Sequence, residues 1–223
     1  MTDLRLVVFD VDGTLVDSQG DIIAAMTMAF EGQGLPMPPR QVVLAQVGLS
    51  LEVIFPRLLP GGTQAQFDGL VQGYKDAYMH LRASKGSAES SPLYPGVQDM
   101  LGTLGAEPET LLGVATGKSR RGLDKLLEGH GLTKTFVTEQ VADFHPSKPH
   151  PAMLHTALSE TGVASERAVM VGDTSFDMEM AKAAGLYAIG VSWGYHKPEQ
   201  LHQADVVIHE FNQLHDVLNK FWG

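Results

Sequence analysis

Six short apolar runs limit how this chain can fold: LRLVVF (4–9), LLGVAT (111–116), KTFVT (134–138), RAVMVG (167–172), LYAIGV (186–191) and ADVVIH (204–209). Several are unbroken Val- and Ile-rich stretches with no polar alternation. That is the pattern of a strand covered on both faces within a parallel sheet. Helical periodicity lies between the last five. Leu123, Leu126 and Leu127 share a face over 119–130, and Met153, Leu154, Ala157 and Leu158 do so over 150–162. Strand alternating with helix predicts an α/β fold built on a doubly wound, mainly parallel sheet.

Residues 17–91 break the alternation. Ile22, Ala25, Met26 and Ala29 form one stripe, which predicts a helix over 18–30. Phe67, Leu70, Val71, Tyr74, Ala77, Tyr78 and Leu81 recur at steps of three and four, which predicts a second helix over 63–82. Gly34 and Pro38-Pro39 punctuate the stretch between them. The Ser/Gly-rich segment 84–92 then returns the chain to the α/β pattern. The division expected is an α/β core of 1–16 and 92–223 with an all-helical insert, 17–91.

Charge and composition narrow the partners. The formal net charge of -10 over 223 residues offers no basic field for nucleic acid or an anionic membrane. An anionic substrate would therefore need local compensation, most simply from a metal cation. With no cysteine, disulfides, thiol catalysis and cysteine-zinc sites are excluded. No apolar run approaches 18 residues, and residues 1–10 do not read as a signal peptide. A soluble, cytoplasmic protein, monomer or homodimer, is expected.

Four polar clusters follow four of the strands. The first strand runs into Asp10 and Asp12, two carboxylates that repel unless a cation sits between them, and Gly13 then permits a sharp bend. LLGVAT ends in Thr116 followed by Gly117, a hydroxyl and an amide that also read as an ordinary helix cap. Lys148 stands in HPSKPHP, held by prolines on either side, although most lysines are simply solvated. The fourth strand runs into Gly172 and Asp173. Asp177 begins the next helix, where an acid is favourable without any function. Ligands bind at the carboxyl ends of strands in open α/β sheets, so the four clusters are expected to converge.

GVATGKS (113–119) invites comparison with the nucleotide phosphate loop, but it is one residue short between its glycines. The weight therefore falls on Thr116 and Gly117. Lys118 is expected in the first turn of a helix, where its loss would leave turnover largely intact.

Taken together, FDVDGTLVDSQGDI, LYPGV, ATGKSRRGLDKLL, SKPHPAML and VGDTSFDMEMAKAAG resemble the haloacid dehalogenase-like hydrolase superfamily. The likeness is to its branch with a helical cap after the first strand, and within that to the phosphoglycolate phosphatase-like subfamily. It covers essentially the whole chain and implies a Rossmann-like core beneath the insert. It also implies that Asp10 is a nucleophile that becomes an aspartyl-phosphate. Asp12 would be general acid and then base, and Gly13, Thr116, Gly117 and Lys148 would hold the phosphoryl group. Mg²⁺ would sit on Asp10, the Asp12 carbonyl oxygen and Asp173, with Asp177 orienting a metal water or Lys148. In such proteins a cap loop lies over the site, which makes Arg40, Gln46 and Ser50 candidates for substrate selection.

The activity implied is Mg²⁺-dependent hydrolysis of a small phosphorylated metabolite, phosphoglycolate-like first. The alternatives are a sugar-phosphate phosphatase, an inorganic pyrophosphatase and a β-phosphoglucomutase-like phosphotransferase. SQGDIIAAM (18–26) lacks the histidine that would favour the last of these. A receiver-type phospho-acceptor domain is the non-enzyme alternative. Such domains are about half this length and carry the acidic pair and the phospho-acceptor on separate strands.

Overall fold

The computed structural model describes residues 4–223. Six strands form one sheet: β1 (Arg5–Phe9), β2 (Thr110–Thr116), β3 (Thr138–Val141), β4 (Ala168–Gly172), β5 (Tyr187–Val191) and β6 (Val206–Ile208). Their order is β3-β2-β1-β4-β5-β6, and every neighbouring pair is parallel. β1 is therefore central, and the strand order reverses beside it. That reversal opens the crevice in which such sheets bind ligands.

Ten helices occur among the described residues: α1 (Gln19–Gly32), α2 (Arg40–Leu44), α3 (Leu51–Leu58), α4 (Gln64–Lys85), α5 (Ser87–Ser90), α6 (Val97–Gly105), α7 (Arg120–His130), α8 (Ala152–Thr161), α9 (Ser175–Ala183) and α10 (Gln213–Trp222). The unbroken apolar strands have the reason anticipated for them. In β1, Val7 and Phe9 pack on the face covered by α6, α7 and α10, while Leu6 and Val8 pack on the face covered by α8 and α9. β4 divides in the same way, with Val169 and Val171 on one face and Ala168 and Met170 on the other.

One strand lies elsewhere than its apolar run predicts. KTFVT joins the sheet only at its end: Phe136 tucks into the core, Val137 is exposed, and β3 begins at Thr138. The strand itself is the polar TEQV. Its buried Thr138 and Gln140 bond Glu160 of α8, Thr138 Oγ1 donating at 2.6 Å and Gln140 Nε2 at 2.8 Å. A polar edge strand satisfied by side chains leaves no hydrophobic signature.

Helices α1–α5 all fall between β1 and α6, and α1, α3 and α4 share an apolar cluster of their own, including Met26, Phe30, Phe55 and Leu70. α4 starts at a capping box in which Thr63 and Gln66 satisfy one another's backbone amides. The chain leaves and re-enters the sheet layer through two adjacent passes. Asp17 N–H donates to Pro92 O at 2.8 Å, and Tyr94 N–H donates to Leu15 O at 2.9 Å. Phe176 and Tyr195, from the far side of the sheet, pack against the cluster of the insert. No helix of the described residues is long and apolar enough to cross a membrane.

Candidate active site

β1 ends at Phe9, and Asp10 follows at the sheet's carboxyl edge, buried. Gly13 turns the chain at φ 85°. A β-carbon there would lie 2.3 Å from Asp173 Oδ2 and 2.8 Å from the Tyr195 ring, so glycine answers both the backbone and the space. β4 delivers Asp173. Thr174 then caps α9 with a reciprocal box, Asp177 Oδ2 accepting from Thr174 N–H at 3.1 Å and from its hydroxyl at 2.7 Å. A side chain on Gly172 would collide with Asp177 at 2.4 Å. Gly172 thus lets the first turn of α9 fold back over the strand end.

Lys148, from the loop between β3 and α8, is wholly buried. Its Nζ lies 2.8 Å from Asp10 Oδ1 and 2.7 Å from Asp177 Oδ1. Asp173 Oδ1 accepts from Thr14 Oγ1 at 3.0 Å, and Oδ2 accepts from Tyr195 N–H at 2.8 Å. Lys148 is the one donor facing Asp10, at Oδ1, and no hydrogen bond reaches Asp10 Oδ2 among the described residues.

Carboxylate oxygens of Asp10, Asp173 and Asp177 lie within 4.8 Å of one another. Lys148 pairs with two of these three buried acids, Asp10 and Asp177, and the electrostatics show the excess of acid. Burial raises the Asp10 carboxyl to about 7, Lys148 holding it down and Asp177 and Asp12 pushing it further up. Asp173 is also held well above the usual carboxylate range by burial, then by Asp10 and Asp177. Burial opposes the charge on Lys148, but Asp10 and Asp177 outweigh it and its pKa is raised. Uncompensated buried carboxylates with open oxygens are the donor set of a hard cation, and the residues present fit Mg²⁺. Asp177 has both oxygens engaged, whereas Asp10 has open lone pairs and Asp173 carries one donor per oxygen.

The side chain of Asp12 turns away from this group. Ser18 Oγ donates a short hydrogen bond to its Oδ1, and Lys118 Nζ lies 2.7 Å from the same oxygen. Here the sequence expectation needs correcting. Lys118 precedes Ser119, the cap of α7, and is buried against Asp12; it is not a residue of a helical first turn. Burial opposes its charge, but Asp12 and Tyr78 outweigh that and raise its pKa.

Thr116 ends β2, buried, and its Oγ1 accepts from Lys118 N–H at 3.2 Å. At Gly117 the insert comes close: an added β-carbon would stand 2.7 Å from Gly48 O and 2.8 Å from Leu49 O. Between insert and sheet lies a cavity of about 1070 Å³, reached by Asp12, Gly117, Lys118, Tyr74, Tyr78 and Ser50. Of the three insert residues singled out from sequence, only Ser50 lines it, with its N–H donating to Ser147 Oγ at 2.9 Å. Arg40 is exposed and bonds Gln19, while Gln46 accepts from Arg57, and neither lines the cavity. Both lie on or beside the short helix α2, whose buried contact is Val43.

Sequence reasoning passed over Ser18, Lys118 and Tyr195. WGYHKPEQL (193–201) reads as a surface loop in preference to a segment closing over the site rim, yet Tyr195 bonds Asp173 through its amide, and its hydroxyl lies 3.0 Å from Ser18 Oγ. His196 in the same loop is buried between the Ser175 amide and Ala45 O of the insert. The available signal was aromatic and imidazole side chains directly after a strand that ends at the site.

Comparison with known proteins settles the family. The haloacid dehalogenase-like hydrolase profile matches residues 7–191. The chain belongs to the haloacid dehalogenase-like hydrolase family. It is 36% identical over 213 residues to a Dickeya dadantii protein named "Probable phosphatase IndB", covering 94% of this chain and 91% of that one. It is 32% identical over 222 residues to a phosphoglycolate phosphatase of Aliivibrio fischeri, covering 97% of each. A solved haloacid dehalogenase-like family hydrolase from Streptococcus pneumoniae superposes with a TM-score of 0.81 at 29% identity, over 99% of this chain and 100% of the other. This haloacid dehalogenase-like hydrolase carries Asp10, Asp12, Thr116, Lys148, Asp173 and Asp177 within the matched stretch.

Proposed function

We propose that this hydrolase cleaves phosphomonoesters of small metabolites with Mg²⁺, through a phosphorylated Asp10. The observation that carries the reading is Asp10 itself: a buried carboxylate at the tip of the central strand, with Lys148 against Oδ1, Oδ2 without a hydrogen-bond donor, and two further acids beside it. A carboxylate needs open lone pairs to attack phosphorus, and this one has them.

In the first step an Asp10 oxygen forms a bond to phosphorus while the bond to the leaving oxygen breaks, and Asp12 supplies the proton that the leaving oxygen takes up. In the second, Asp12 accepts a proton from water as that water attacks the phosphoryl group on Asp10, and the carboxylate is released. Thr116 and the Gly117 amide at the end of β2, with Lys148 from the loop between β3 and α8, would hold the phosphoryl oxygens. Asp10, the Asp12 carbonyl oxygen and Asp173 would hold Mg²⁺, with Asp177 orienting Lys148. Bound there, the cation supplies neutralisation of the charge shared by phosphate and carboxylates. The helical insert serves as the cap that covers the reacting group, and residues 17–91 form it.

2-Phosphoglycolate is the first substrate to test, since a relative at 32% identity bears that name. Phosphate release is measured with Mg²⁺ from 2-phosphoglycolate, sugar phosphates, nucleoside monophosphates and pyrophosphate. Turnover of at least one monoester is expected, with Asp10→Asn lowering it by about 10³-fold or more. Parent-like turnover in Asp10→Asn would sink the mechanism. Equal, slow turnover of the whole panel would sink the phosphoglycolate assignment alone.

A further inference from the structure

Asp12 is gripped by one oxygen only. Ser18 Oγ donates to Oδ1, and Lys118 Nζ is 2.7 Å from that same Oδ1. The two donors come from distant parts of the chain. Ser18 stands at the start of α1 and is tied to the core through Tyr195 OH at 3.0 Å. Lys118 comes from the turn before α7, and its Nζ is 3.3 Å from the Tyr78 hydroxyl of α4 and 5.1 Å from the Tyr78 ring centre. Tyr78 is in turn covered by the Arg82 guanidinium, which donates to Gly122 O of α7 at 2.9 Å. Asp12 Oδ2 carries none of these bonds. Two donors on one oxygen restrain the rotation of the carboxylate and so bias where its second oxygen points.

We propose that Lys118 is a positioning residue for Asp12: with Ser18 it pins Oδ1, so that Oδ2 is the oxygen that gives and takes the proton. The inference rests on the proposed acid–base role of Asp12. Through Tyr78 the pin also depends on the insert lying over the site. Lys118 and Tyr78 both line the cavity between insert and sheet, as Asp12 does.

The test uses Lys118→Met, Lys118→Arg and Tyr78→Phe in the full protein with Mg²⁺, folding being checked by circular dichroism. Two substrates are compared, 2-hydroxyethyl phosphate, whose leaving oxygen needs a proton, and p-nitrophenyl phosphate, whose leaving group departs as an anion. Lys118→Met is expected to lower kcat on the alkyl ester about 10- to 100-fold, part of the usual acid–base contribution, with KM changed less than about threefold. Lys118→Arg should recover part of the loss, and Tyr78→Phe should show a smaller loss of the same kind. In a single turnover with enzyme in excess, Lys118→Met should release p-nitrophenolate at near the parent rate, because that step does not need the proton.

An equal single-turnover defect on both esters would overturn the proposal, placing Lys118 on the phosphoryl group. A rise in KM alone, or no effect, would overturn it too. A Tyr78→Phe variant with parent kinetics would overturn the link to the insert. The phosphatase reading itself stands or falls separately, on Asp10→Asn.

Discussion

Replacing Lys148 by Met removes the only basic side chain paired with Asp10 and Asp177 among the described residues. The ammonium is wholly buried, 2.8 Å and 2.7 Å from the two carboxylates. Breaking a buried pair from one side costs about 3–5 kcal/mol, because the partner charges remain without compensation. That is a large share of the roughly 5–15 kcal/mol that holds a typical domain together. The pH dependence has a definite sign. Burial holds the Asp10 carboxyl at about 7 against an ordinary 3.8, so between those values the folded protein keeps a proton that the unfolded chain has lost. The contribution of Asp10 to stability therefore falls as pH rises through that window. Lys148 lowers the Asp10 value, so its removal extends the window upward, and the deficit of the variant should grow from pH 6 to pH 8. Urea unfolding in EDTA at both pH values measures it. Mg²⁺ at about a hundred times its Kd should return about 2.7 kcal/mol if it binds only the folded form. A variant as stable as the parent at pH 8 in EDTA, or a deficit that shrinks as pH rises, would refute the account.

Two other outcomes follow from the same geometry. Gly117→Ala places a β-carbon against the carbonyls of Gly48 and Leu49, so the insert must withdraw. The cost expected is about 1–3 kcal/mol, with KM raised, and steady-state kinetics with parent KM would contradict it. Mg²⁺ binding should displace protons from Asp10 and Asp173, both held above the usual carboxylate range, so apparent affinity should rise between pH 6 and pH 8. Titration calorimetry in buffers of different ionisation enthalpy reads the released protons, and a flat affinity profile with no proton release would refute it.

Much of the molecule was legible from local patterns, because parallel strands buried on both faces must be apolar throughout and their ends must carry the polar groups. Asp10, Asp173 and Lys148 could be placed this way, each at the end of a strand or on a loop braced by proline. β3 escaped because two of its buried residues, Thr138 and Gln140, are polar and are satisfied by Glu160, which stands 22 and 20 residues away. Arg40 and Gln46 could not be sorted from Ser50, since all three are polar residues of one stretch and only packing decides which faces the cavity.

By itself, then, the sequence determined the parallel α/β sheet, the helical insertion after its first strand, the acids that follow the strand tips and the lysine on its proline-braced loop. Periodicity and chain order are local properties, and they settle such things. Tertiary structure alone decided the orientation of Asp12. Its Oδ1 is held by Ser18, 6 residues away, and by Lys118, more than a hundred residues along the chain, and Lys118 leans on a tyrosine of the insert. The sequence reading sets Lys118 aside because GVATGKS is one residue short of a phosphate loop and Lys118 is expected in the first turn of a helix. Burial against a carboxylate from another strand is what changes its meaning, and that contact exists only once β1, β2 and α4 have come together.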